Sequence, residues 1–147
     1  MQFVQDRRLT LIKPDNLEEV DLPVTVQWDT RDFTAAPLGS QPRENTGLFG
    51  VFVDRYPMAP GESIRTLVAD EVPTCAANPD ECLTPAFLRD SIGLYLTTKN
   101  RVPIERVGAA QTTSQGVHFV VVVLIDSAGR RIGEAVWYRS FKVRDSS

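Results

Sequence analysis

Period-two alternation of apolar and polar positions dominates the chain. In "LPVTVQWDT" (22–30), Leu22, Val24, Val26 and Trp28 fall on one face while Thr25, Gln27 and Asp29 fall on the other. Successive strand side chains point to opposite faces, so this is a half-buried strand with Trp28 in the core. "GLFGVFVDR" predicts a strand whose Phe49, Val51 and Val53 share a side. "IGLYLTT" (92–98) predicts another, with Ile92, Leu94 and Leu96 opposite Gly93, Tyr95 and Thr97.

The strongest stretch is "VHFVVVVLI" (117–125), a nearly unbroken run of β-formers that suits a central strand covered on both faces. Asp126-Ser127-Ala128-Gly129 follows as a turn: Asp bonds the turn backbone and Gly accepts a positive φ. The return strand puts Ala135, Trp137, Phe141 and Val143 on one face, together with Arg139. A charge in that stripe calls for a bulge, a sheet end open to water, or a paired buried guanidinium, and the first two are the expectation.

Two irregular stretches interrupt the strands, 30–46 and 54–91, both punctuated by Pro and Gly. Connections of that length carry function or order of their own. In the second, Thr84-Pro85 is a helix-start signal, and "PAFLRD" predicts a short helix with Phe87 and Leu88 turned inward. At 147 residues the chain is read as one domain, 1–147, in two packed β layers with an elaborated insertion at about 54–91.

A formal charge of −3 without a Lys/Arg cluster gives no electrostatic reason to seek phosphate backbones, so no nucleic-acid partner is expected. No apolar run approaches the roughly 20 residues of a membrane span, so direct membrane insertion by this segment is not expected either. The start, "MQFVQDRRLTLIKPDN", has no signal-peptide core. Either the native protein is cytosolic, or an export signal or anchor is missing from this sequence.

The two cysteines, Cys75 and Cys82 in "TCAANPDECLTP", weigh on that choice. A structural zinc site needs about four ligands, and only His118 is a further usual donor. A thioredoxin-like pair has two intervening residues, not six. Asn78-Pro79-Asp80 is turn chemistry that brings the thiols together, so a Cys75–Cys82 disulfide and an oxidising, extracytoplasmic compartment are expected. Closing an eight-residue loop is worth about 2.5 kcal/mol in the chain-entropy model.

Candidate chemistry is sparse. His118 lies inside the predicted central sheet and is expected to be packed rather than catalytic, and no catalytic residue, cofactor or metal is assigned. Asp70, Glu71, Asp80 and Glu81 lack calcium-loop spacing and read as a solvated acidic loop. Tyr56, Pro57 and Met58 are apolar residues in a predicted loop, which either cover a sheet edge or meet a partner. Arg31, Arg43, Arg130 and Arg131, with Asp32 and Glu44, would crowd the other end as the alternative binding surface.

The order of a tryptophan strand ("VTVQW"), an aromatic strand ("FGVFVD"), a strand at "LYLTT" and a valine-rich strand turning through D-x-x-G ("VVVLIDSAGRRIGEAVW") resembles fibronectin type III and related immunoglobulin-like domains over about residues 8–53 and 92–144. The resemblance implies an all-β, two-sheet antiparallel sandwich with Trp28 at the family's core tryptophan. It leaves the 54–91 connection unexplained, and the aromatic expected early in the penultimate strand maps near His118 or Phe119. With no cysteine in the second or penultimate strand, an antibody-type inter-sheet disulfide is excluded.

Such sandwiches are typically extracellular modules. The function expected is a non-enzymatic extracytoplasmic spacer or protein-interaction domain of a larger exported or membrane-anchored protein, whose partners are proteins or neighbouring domains. The alternative is a carbohydrate-binding or substrate-positioning accessory domain of a secreted hydrolase, and a third is a small enzyme using an acidic pair.

Overall fold

The computed structural model describes residues 8–105, 107 and 117–143, the side chains of 134–138 excepted. Strands β1 (Leu9–Lys13), β2 (Glu18–Val20), β3 (Val24–Thr30), β4 (Thr34–Ala35) and β5 (Thr46–Val53) precede helices α1 (Ile64–Glu71) and α2 (Pro85–Ile92). Two short 3-10 turns, Pro73–Cys75 and Pro79–Cys82, lie between the helices. Strands β6 (Leu94–Thr97), β7 (Arg101–Ile104), β8 (Val117–Asp126) and β9 (Arg131–Val143) follow.

The strands form two sheets. The smaller is antiparallel in the order β1-β3-β7; the larger runs β2-β9-β8-β5-β4, with β6 also on β5. Two edges depart from the antiparallel expectation, because β2 lies parallel to β9 and β4 parallel to β5. Pro103 sits in β7, at a sheet edge where a strand tolerates a missing N–H.

Alternation fixes which face each strand buries. Leu9, Leu11, Val24, Val26 and Trp28 meet Phe49, Val51, Val53, Val120, Val122, Leu124 and Phe141 between the sheets. Trp28 is fully buried, its ring 5.3 Å from that of Phe49 in an edge-to-face contact. The other face of the larger sheet carries Leu48, Phe52, Val121, Val123 and Ile125, and it is covered too: Met58, Ile64, Leu67, Val68, Cys75, Leu88 and Ile92 pack on it. The two expected layers are therefore three, and the 54–91 connection is the third. That cover is why 117–125 is apolar on both faces.

Local sequence explains the helices. The Ser63 hydroxyl accepts from Arg65 N, and Ile64, Leu67 and Val68 make an i, i+3, i+4 stripe that ends before Pro73. At α2, Thr84 accepts from Phe87 N at 3.2 Å, Pro85 opens the first turn, and Gly93 at φ 76° closes the helix by donating to Leu88 and Arg89 carbonyls. The strand expected over 92–98 thus begins at Leu94, because Ile92 completes a helical turn and only glycine takes the left-handed cap at low cost.

Arg139 resolves in a way the sequence did not favour. The β8–β9 register does shift, but between Val122 and Leu124; Arg139 itself donates to the carbonyls of Pro14 (2.8 Å) and Leu11 (3.5 Å). Its half-buried guanidinium is paired with backbone of the opposing sheet. The side chains of Ala135 and Trp137 lie outside the described set.

Leu17, just before β2, holds φ at 63° while 53% exposed. A left-handed leucine costs about 1 kcal/mol, and the exposed side chain recovers little of it. Leu17→Asn, a residue that tolerates this conformation, is expected to raise stability by about 0.5 kcal/mol in urea unfolding. A fall in the midpoint would show that Leu17 contributes packing.

Candidate functional site

The segment after β5 runs along the outer face of the larger sheet from one end to the other. It starts at Asp54, whose N–H donates to Phe119 O (2.9 Å), and Tyr56 lays its ring 5.5 Å from that of Phe119. It finishes against the β8–β9 hairpin: Gly61 N donates to Arg131 O, Arg131 N to Glu62 O, and Ile64 N to Gly129 O. The two bonds at Arg131 occupy backbone groups at the start of β9 that an open sheet edge would expose. Two guanidiniums fasten the same stretch, Arg131 on Met58 O (2.8 Å) and Arg130 on Gly61 O (3.2 Å).

This path rearranges the candidate residues. Tyr56 is 58% exposed and Pro57 half-buried, but Met58 is buried in the outer core and so presents nothing to a partner. Arg131 is buried as well. Its carbonyl partner is neutral, its Nε has no partner among the described residues, and burial pushes its pKa below the ordinary guanidinium range. Residues 58–61 and Arg130–Arg131 are one contact rather than two competing ends.

Cys75 and Cys82 stand at disulfide distance, 2.02 Å between sulfurs, and staple the two 3-10 turns under α1. Exposed ion pairs flank them: Arg55 grips Glu71, and Arg65 meets Asp80 at 2.5 Å. Replacing both cysteines by serine is expected to cost about 2.5 kcal/mol, read as a lower unfolding midpoint without reductant and none of that difference with it.

His118 is buried on the inter-sheet side of β8, its ring 6.2 Å from that of Phe141. Nδ1 stands 2.8 Å from Asp54 Oδ2, and Asp54 Oδ1 accepts from Phe119 N at 3.1 Å. Asp54 is 1% exposed and sits at φ 58°, a left-handed position that Asp tolerates. The pair therefore closes the end of β5 onto β8. The chain's one histidine is thus part of the packed interior.

At the hairpin end, Pro42, Arg43, Glu44, Asp126, Ser127 and Ala128 line a shallow cleft of about 260 Å³. Arg31 at the end of β3 and Arg130 are exposed near the same end. Asp126 is spent on the turn, its Oδ1 accepting from Ala128 N (3.0 Å) and Arg130 N (2.9 Å). The acids of 70–81 do not converge, since Glu71 and Asp80 serve different arginines. Among the described residues no three His, Cys, Asp or Glu side chains form a group able to hold a metal ion, and no helix is long and apolar enough to cross a membrane.

Neither a protein-family model, nor a curated protein, nor a solved structure matches the chain.

Proposed function

We propose that the chain is a non-catalytic interaction or spacer module, an immunoglobulin-like sandwich with an added helical layer, working in an oxidising extracytoplasmic compartment as part of a larger exported or membrane-anchored protein. The observation that carries it is the Cys75–Cys82 pair at bonding distance inside the third layer, since such staples persist in oxidising compartments. The strand order supports the sandwich: β1-β3-β7 and β5-β8-β9 repeat the A-B-E and C-F-G arrangement, with Trp28 between them.

Two further features weigh against the alternatives. Sugar-binding faces display rows of aromatics, whereas Tyr56 is the one large aromatic that is mostly exposed among the described residues. The cleft holds two carboxylates, Glu44 and Asp126, but hydrolysis needs both available, and Asp126 is engaged by turn amides. Proximity cross-linking from this chain in its native cells tests the proposal. Neighbours should be exported or surface proteins, and a set of cytosolic proteins would overturn it.

A further inference from the structure

The stretch Tyr56–Glu62 runs between two firm anchors. Before it, Asp54 is buried and bonded to Phe119 by both its N–H and its carboxylate, and Arg55 grips Glu71 of α1. After it, Ile64 N donates to Gly129 O, and the Ile64 side chain is fully buried. Between the anchors only Met58 buries its side chain: Pro57 is half-buried, and Tyr56, Ala59, Pro60, Gly61 and Glu62 are exposed. Little apolar area therefore holds the stretch down.

What it closes against is costly to bury. Arg131 is 6% exposed, one guanidinium nitrogen donates to the neutral Met58 carbonyl, and Nε has no partner among the described residues. No carboxylate compensates the charge among those residues, since Glu62 meets Arg131 only through its backbone carbonyl and Arg130 alongside is a second cation. Water would return much of the free energy lost by burying such a group. Closure thus sets one methionine and four hydrogen bonds, two of them from guanidiniums, against a desolvated cation and the ordering of seven residues.

We propose that Tyr56–Glu62 is a strap that opens locally between its anchors while both sheets and both helices stay folded. Opening returns the Arg131 guanidinium to water and frees the Arg131 N–H and C=O at the start of β9. The inference goes beyond the proposed function and depends on neither the compartment nor the sandwich assignment.

Native-state hydrogen exchange of the full chain, followed amide by amide, tests this. Relative to its unprotected rate, the Gly61 amide, bonded to Arg131 O, should exchange at least about 100-fold faster than the Val121 and Val122 amides of β8, a strand paired on both sides. Its rate should also stay nearly flat in low urea, because local opening exposes little surface, whereas exchange through global unfolding rises steeply. Arg131→Met, which keeps an unbranched side chain and removes the charge, should slow Gly61 exchange by about tenfold or more, since an orphaned Met58 carbonyl costs less than an uncompensated guanidinium. Met58→Ala should speed it by a similar factor. A merely structural clasp at Arg131 would reverse the sign of the first variant. Gly61 protection equal to that of β8, a urea dependence as steep as that of β8, or faster Gly61 exchange in Arg131→Met would each overturn the proposal, and the wild-type urea series decides without either variant.

Discussion

Trp28→Ala is expected to lower stability by about 3–5 kcal/mol, enough to unfold a marginal domain near physiological temperature. The side chain is fully enclosed between the sheets against Phe49, and truncation removes its apolar contacts while leaving a cavity that two hydrogen-bonded sheets cannot collapse to fill. Gln27→Ala on the opposite face should stay within about 0.5 kcal/mol. Trp28→Phe is informative in between, because Trp28 Nε1 is buried without a partner among the described residues. Losing that donor offsets part of the lost volume, so the cost should be about 1–2 kcal/mol. Equal urea midpoints for Trp28→Ala and Gln27→Ala would contradict the register of β3.

Asp54→Ala should cost about 3–5 kcal/mol, for a reason that no apolar contact supplies. It strips the acceptor from two buried donors, Phe119 N and His118 Nδ1, and leaves alanine in a left-handed conformation. Asp54→Asn keeps one acceptor and tolerates that backbone, so about 1–2 kcal/mol is expected. In a double-mutant cycle with His118→Leu, the two losses should be non-additive by about 1–3 kcal/mol. Additive losses would show that the pair does not act as a unit.

The sheet core was legible because alternation is a local signal. Val24, Val26 and Trp28, like Phe49, Val51 and Val53, declare their shared face within a few residues. The third layer was foreshadowed only indirectly, by Val121, Val123 and Ile125 being as apolar as Val120, Val122 and Leu124. A strand buried on both faces demands a cover, and the 54–91 connection is long enough to supply it. Its first helix is not legible in the sequence because eight residues among Pro60, Gly61 and Pro73 give a weak periodic signal, and its stability comes from packing.

The candidate site was harder to read for a similar reason. The run of β-formers places His118 in the sheet, but Asp54 lies 64 residues away in sequence, and only the β5–β8 pairing brings them together. Proximity in sequence also misled. Tyr56, Pro57 and Met58 look like one apolar patch, yet the segment crosses the sheet face, exposing the first and burying the last. Arg130 and Arg131 look like solvated tip charges, yet both hold carbonyls of the crossing segment.

The measurement that bears most directly on a stapled extracytoplasmic module is a thiol count on the protein recovered from its native cells, alkylated at lysis and denatured without reductant. No reactive cysteine before reduction and two after it is the expected result, with Cys75 and Cys82 recovered in one cross-linked peptide. Two free thiols in freshly isolated protein would contradict the staple and, with it, the oxidising compartment.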